Sequence, residues 1–233
     1  MVVGSGLLAQ ALDCFAIRND VLIFAAGVSD SVACTPADCS RELRRLSGYR
    51  NIESKLVYFS SCSVTDPEHA QSPYVLHKQA QEAFIHENFK HFLIIRLPTV
   101  VGSGGNERNL FNFFYQQLNQ NRALTVRKEA ERYLFDVSDL VTVVRRLLDF
   151  SNDRDVIDAC WDNRVNILQI VEYMRRALHS DSSIQVIDGG SFPIVDNQRF
   201  IDAMGGELTE GKSAISILDK YIALRGNHEK SGE

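Results

Sequence analysis

The chain has 233 residues, 45% hydrophobic and 24% charged, with a formal net charge of -5. That length suits one sizeable core with a small appended lobe and is short for two independent domains. The acidic balance excludes the broad basic surface that nucleic-acid binding needs, and no apolar run approaches the length of a bilayer span.

Met1-Val2-Val3 reads as a short strand that enters the turn Gly4-Ser5-Gly6-Leu7-Leu8-Ala9, and a helix is expected from there to about residue 17. No basic segment precedes the turn, so a signal peptide is not expected and a cytoplasmic location is. Val21-Leu22-Ile23-Phe24-Ala25-Ala26 is continuously apolar and ends at Gly27, which suits a strand buried on both faces. A helix over residues 38–46 and a second buried strand over 55–60 follow. Pro73 can open a helix over 74–89, because proline is tolerated in a first turn. Residues 92–97 form the next strand, stopped by Pro98. The alternation predicts an α/β fold with a doubly wound parallel sheet of about five strands. Beyond it come a glycine-rich loop around Asn106, an aromatic helix over 109–120, a short strand over 124–126 and a helix over 138–150. Helices and one or two short strands fill 165–178 and 184–224, and the chain frays from Gly226.

The five cysteines, Cys14, Cys34, Cys39, Cys62 and Cys160, are odd in number and scattered. They read as buried thiols and not as a disulfide framework. Neither they nor the six histidines show zinc-ligand spacing, so no metal is expected.

Three features carry chemistry. A G-x-G-x-x-A turn between strand and helix lets the backbone approach a pyrophosphate at the helix N-terminus, although alone it is equally well a plain strand-to-helix turn. Tyr74 and Lys78 stand one helical turn apart on one face. A tyrosine can move a proton to or from a sugar hydroxyl or carbonyl, and a neighbouring ammonium favours its phenolate. Taken alone, such a pair is more often an exposed tyrosine and a solvated lysine. The strand end Phe59-Ser60-Ser61-Cys62-Ser63-Val64 shifts the balance, since it places hydroxyls at the carboxyl edge of a parallel strand, where such sheets bind ligands.

Together, the N-terminal glycine turn, the strand ending in serines and the run Ser72-Pro73-Tyr74-Val75-Leu76-His77-Lys78 resemble the extended short-chain dehydrogenase/reductase family. This is the branch of NAD-dependent epimerases and dehydratases that act on nucleotide sugars. Ile95-Arg96-Leu97-Pro98-Thr99-Val100-Val101-Gly102 resembles its segment flanking the nicotinamide. Residues 132–140 resemble the segment in which an arginine holds the nucleotide diphosphate. The resemblance implies a shortened Rossmann-type fold with a smaller C-terminal substrate lobe. Residues 1–98 and 132–158 would form the cofactor-binding core, 99–131 and 159–228 the lobe, and 229–233 a disordered tail.

By the same resemblance, Ser61 orients substrate, Tyr74 is the acid/base and Lys78 contacts ribose. NAD or NADP would lie against Gly4, Ser5, Gly6, Leu7, Leu8, Ala25, Ala26, Gly27, Ser60, Leu97, Pro98, Thr99 and Val100, with Tyr74 and Lys78. Cys62, Asn106 and Arg132 would meet the nucleotide-sugar substrate, although Arg132 could equally be a surface ion-pair residue, and Asp139 reads as a helix N-cap. A homodimer is an expected assembly, its partner subunit covering the adenosine. The expected role is a reductase or epimerase in surface-polysaccharide biosynthesis.

The chain departs from the family in two places. Between the first helix and Val21 there is no room for the usual second strand, second helix and third strand, which carry the side chain that separates NAD from NADP. Cofactor preference is therefore open, and a non-catalytic nucleotide-binding protein is the competing reading. After Ser61, Cys62 and Ser63 stand where dehydratases carry an acidic pair, so water elimination is disfavoured, while reduction and epimerisation remain undivided.

Overall fold

The computed structural model describes residues 1–31, 33–205 and 212–230. In chain order the elements are β1 (Val2–Val3), α1 (Leu7–Ala11), β2 (Val21–Phe24), α2 (Pro36–Ser47), β3 (Lys55–Ser61), α3 (Pro73–Asn88), β4 (Phe92–Leu97) and β5 (Thr99–Val101). There follow α4 (Leu110–Asn119), β6 (Leu124–Arg127), β7 (Glu131–Arg132), β8 (Leu134–Asp136), α5 (Leu140–Phe150) and β9 (Asp155–Asp158). The last are β10 (Val165–Asn166), α6 (Ile167–Ala177), β11 (Ile184–Ile187), α7 (Gln198–Met204) and α8 (Ala214–Lys230).

The main sheet, among the described residues, has five strands in the order β1-β2-β3-β4-β9, and every pair is parallel. Parallel strands buried on both faces need apolar side chains in both directions. Val21, Ile23, Val57, Leu93 and Ile95 point to one face, where Leu12, α5 and α7 cover them. Leu22, Phe24, Leu56, Tyr58 and Ile94 point to the other, under Leu46 of α2 and Ile85 of α3. The sheet is thus doubly wound. Local sequence sets the covering helices: Thr35 and Asp38 form a capping box ahead of α2, with Pro36 in its first turn. Ser72 caps α3, with Pro73 next, and α5 buries Leu140, Val143, Val144 and Leu147 at helical spacing.

Several expected elements change. The first helix stops at Ala11, not near residue 17, and a 3₁₀ turn over Asp13–Phe15 follows. The strand it returns to is only four residues, so little helix is needed to span the sheet. Leu12 and Phe15 are buried in the turn that redirects the chain. β2 ends at Phe24 and leaves Ala25 and Ala26 in the turn beyond. The fifth strand, β9, is not legible as a strand from its run Asp155-Val156-Ile157-Asp158, whose aspartates mask the pattern. Arg199 pairs with Asp155 and Arg96 with Asp158, which lets those carboxylates be buried.

A second core joins α4, α6 and α8 with β6 and β8, through Phe111, Phe114, Leu118, Ile170, Met174 and Tyr221. The division read from sequence misplaces one element. Residues 198–204 are expected in the lobe, yet Phe200, Ala203 and Met204 of α7 pack into the main core beside Trp161. Of the expected tail, α8 includes residues 229 and 230, while 231–233, like 206–211 of the expected lobe, lie outside the described residues. Among the described residues no helix is long and apolar enough to cross a membrane.

Leu93 is fully buried at the centre of the sheet and Ile17 is 88% exposed. Leu93→Ala is expected to lower unfolding free energy by about 2–5 kcal/mol and Ile17→Ala by less than about 0.5 kcal/mol, measured by urea denaturation.

Candidate active site

The carboxyl ends of β1 to β4 open into a cavity of about 860 Å³. Its first wall is the glycine turn. Gly4 has φ +139°, and a Cβ there would stand 2.5 Å from the carbonyl oxygen of Ala25, so glycine is what lets the turn touch the end of β2. A Cβ on Gly6 would meet nothing within 4 Å, which leaves an open cradle beside Ser5, Leu7 and Leu8 in the cavity wall.

The sequence-predicted residues are largely gathered here. Ser5, Gly6, Leu7, Leu8, Ala25, Gly27, Ser60, Ser61, Cys62, Tyr74, Lys78, Leu97, Pro98, Thr99, Val100, Asn106 and Arg132 all line this cavity. Gly4 and Ala26 stand behind the lining, Gly4 as the contact with β2 and Ala26 packed against the core. The Ser60 hydroxyl donates to Glu82 at 2.5 Å, and Arg96 clamps the same carboxylate at 3.0 and 2.6 Å, so Ser60 is tied into the wall. Ser61 accepts from the Ser63 N–H at 3.1 Å. Cys62 is only 1% exposed and its Sγ lies 3.4 Å from that of Cys160. Burial pushes the Cys62 thiol well above its ordinary range, so it offers the cavity a neutral, apolar surface.

Of the other cysteines, Cys34 and Cys39 are half-buried with sulfurs 3.3 Å apart, and Cys14 is exposed, against the expectation that all five are buried. All five are free thiols. No group of three or more His, Cys, Asp or Glu gathers as a metal site among the described residues.

Tyr74 and Lys78 share a face of α3, with the Lys78 ammonium 5.9 Å from the Tyr74 ring centre. Their direct partners differ from those the family pattern implies. Among the described residues the Tyr74 hydroxyl makes no hydrogen bond, to Ser61 or to any other group. Lys78 instead donates to the Tyr58 hydroxyl at 3.2 Å and to the Phe59 carbonyl at 3.4 Å. It also stands 3.6 Å from the Glu42 carboxylate. Glu42 further accepts from Tyr58 at 2.6 Å, from the Val28 N–H at 2.6 Å and from His77 at 2.7 Å.

Sequence reasoning missed Glu42, Tyr58 and His77. A faint signal exists in the spacing of Glu42 and Leu46, which are the buried residues of an otherwise charged helix.

Arg132 stands on β7 in the cavity wall, where it donates to the carbonyls of Glu131 and Ser191 at 2.7 and 2.9 Å. Buried Asp66 lies 4.0 Å away. Burial lowers the pKa of Arg132, against which Asp66 and Glu68 act. It is therefore no surface ion-pair residue. Asn106 lines the cavity near the end of β2: it reaches toward Asp30 at 3.5 Å, and Asp30 also pairs with Arg108 at 2.9 Å. His69 and Tyr133, also unforeseen, line the cavity. Asp139 precedes α5 without capping it by its side chain. Its carboxylate takes Lys212 at 2.6 Å, and Asp136 caps the 3₁₀ turn ahead of the helix.

Burial alone would raise the Glu42 pKa, but the Lys78 charge and the hydrogen bonds from His77, Tyr58 and Val28 outweigh it and bring it from 4.5 to about 2. A depressed carboxylate pKa stabilises the fold above the unfolded value, and that stabilisation is lost as pH falls through the folded one. At about 1.4 kcal/mol per tenfold, the increment is about 3 kcal/mol. The stability difference between wild type and Glu42→Gln, from urea unfolding, is expected to shrink as pH falls from 6 to 3.

The sequence matches no protein-family model and no curated protein. Solved structures match over nearly its whole length. The NADPH complex of RMD from Pseudomonas aeruginosa is 19% identical, with 94% of this chain and 87% of that chain covered and a TM-score of 0.65. A dTDP-4-dehydrorhamnose reductase from Clostridium acetobutylicum is 16% identical, covering 94% and 86% at a TM-score of 0.70. The dTDP-glucose 4,6-dehydratase DesIV from Streptomyces venezuelae, with NAD and TYD bound, is 14% identical, covering 96% and 80% at 0.72. Reductases, dehydratases and epimerases all share this architecture. The chain has the fold of the extended short-chain dehydrogenase/reductase family.

Proposed function

We propose that this chain is an NAD(P)-dependent enzyme that reduces, or epimerises through a keto intermediate, a nucleoside-diphosphate sugar in surface-polysaccharide biosynthesis. The observation that carries the reading is the meeting of Ser61, Tyr74 and Lys78 with the Gly6 cradle around one cavity at the carboxyl ends of parallel strands. The cradle fits a pyrophosphate, since Gly6 leaves space that any side chain would fill. A nicotinamide held beside Leu97, Pro98 and Thr99 supplies hydride chemistry when bound. Ser61 holds the sugar oxygen, and Tyr74 passes a proton to it or takes one from it. Lys78, 5.9 Å from the Tyr74 ring centre, stands where its ammonium can contact the cofactor ribose beside that phenol. Arg132, with two of its donors already oriented by backbone carbonyls, faces the substrate's diphosphate.

Cys62 and Ser63 supply neither a strong acid nor a strong base, which favours reduction or epimerisation over dehydration. The dehydratases among the structural neighbours do not alter that chemistry, because the fold is common to all three reactions.

A second reading, nucleotide binding without turnover, is favoured by the engagement of Lys78 with Glu42 and Tyr58 and by the Tyr74 hydroxyl lacking Ser61 as a partner. Fluorescence titration with NADH and NADPH separates the cases together with turnover. A bound cofactor without turnover of any UDP-, dTDP- or GDP-linked sugar would establish the second reading.

Tyr74→Phe removes one oxygen and keeps the ring. It is expected to leave the fold and cofactor affinity intact and to lower turnover by about 10² to 10⁴. Full turnover by Tyr74→Phe would exclude the proposed acid/base role. With no strand beyond β1 among the described residues to carry a ribose-selecting side chain, NAD and NADP are expected to bind within about a hundredfold of each other, measured by isothermal titration.

A further inference from the structure

We propose that Glu42 is a positioning residue, whose carboxylate docks the Lys78 ammonium beneath the cavity and so sets where the acid/base pair stands. The inference rests on the proposed roles of Tyr74 and Lys78, and it adds a residue that neither the glycine turn nor the Tyr74–Lys78 spacing indicates.

The side chains of Glu42, His77 and Lys78 are 1%, 4% and 3% exposed, so the pair is removed from water. A lone ammonium at that depth is strongly disfavoured, and a carboxylate near it is what makes its burial tolerable. Glu42 is itself fully engaged. One oxygen accepts from Tyr58 and faces Lys78, while the other accepts from His77 and the Val28 N–H. These partners come from the loop after β2, from β3 and from α3, so the carboxylate cannot shift without disturbing three elements. Since an ionised carboxylate only accepts, His77 must donate through Nε2, which fixes its tautomer while it is neutral.

An independent feature points the same way. Gly27 has an ordinary backbone conformation, yet a Cβ there would stand 2.9 Å from Lys78 Nζ and 3.2 Å from Glu42 Oε1. A side chain at this point would have to displace the ion pair, whose end groups occupy the space it would take. The glycine in the turn after β2 thus leaves room for Lys78 as Glu42 holds it.

Lys78 has its nitrogen 5.1 Å from the Tyr58 ring centre and 5.9 Å from that of Tyr74. Glu42 and Tyr58 hold it on the far side of the cavity floor, at a defined distance from the proton-carrying phenol. Without the carboxylate the ammonium keeps only the neutral Tyr58 hydroxyl and Phe59 carbonyl, with no opposite charge to hold it at that depth, and a displacement of about 1 Å in a catalytic group costs on the order of a hundredfold in rate.

The test uses Glu42→Gln, which keeps size and shape, in the full chain. With lysine labelled at ¹³Cε, the Lys78 resonance, assigned by its loss in Lys78→Arg, is expected to move in Glu42→Gln while the other lysine resonances stay. On a sugar nucleotide that wild type turns over, kcat is expected to fall by about tenfold to a hundredfold with KM for the sugar nucleotide within threefold, and Glu42→Asp should recover part of the loss. A Lys78 resonance unmoved in folded Glu42→Gln overturns the inference, whatever the turnover. A resonance that moves while wild type turns over no sugar nucleotide supports the docking and counts against the proposed function alone. If Glu42→Gln does not fold, Glu42→Asp serves in its place, since it withdraws the carboxylate from Lys78 by one methylene while keeping its charge. An unmoved Lys78 resonance in folded Glu42→Asp overturns the inference equally.

Discussion

A carboxylate buried under the ends of a parallel sheet has to be matched in both charge and hydrogen bonds, and Glu42 is matched from three directions at once. The consequences spread outward from it. The loop after β2 is held by its Val28 N–H, β3 by the Tyr58 phenol, and α3 by His77 and Lys78. These are the segments that form the floor and one wall of the cavity. The Tyr58 phenol is pushed well above its ordinary range by burial and by Glu42, so it stays protonated and serves as a fixed donor.

A second buried network runs parallel to the first. Glu82 of α3 takes Ser60 from β3 and two donors of Arg96 from β4, and Arg96 reaches Asp158 on β9 at 3.5 Å. Burial raises the Asp158 pKa even with Arg96 nearby. The two networks join α3 to the sheet at polar points, where an all-apolar contact would permit sliding. They leave Ser61, between them, as the strand-end hydroxyl that meets the cavity.

The short β1 edge changes what encloses the cavity. Among the described residues β1 is the edge strand of the sheet, and the glycine turn is covered from the other side. Gly105 of the loop after β5 would bring a Cβ within 3.4 Å of Leu7, and Arg108 and Asn106 reach Asp30 beyond β2. The loop after β5 therefore lies over the glycine turn and the end of β2. Arg132, held by the Ser191 carbonyl, marks the opposite end.

By itself the sequence determined the doubly wound parallel sheet, its approximate strand number and the residues that gather around the cavity, because these depend on local period, turn chemistry and short spacings. Val21-Leu22-Ile23-Phe24 can only be a strand covered on both faces, and Tyr74 and Lys78 share a helical face whatever surrounds them. The tertiary structure alone decided what those residues touch. Lys78 meets Glu42, 36 residues earlier in the chain, and only the spacing of Glu42 to Leu46 hints that this glutamate of a charged helix turns inward. It also decided that the run Asp155-Val156-Ile157-Asp158 is a strand, since its aspartates become tolerable only beside Arg199 and Arg96, brought from distant segments. Charge compensation between remote segments has no period in the sequence, so it appears only once the chain is folded.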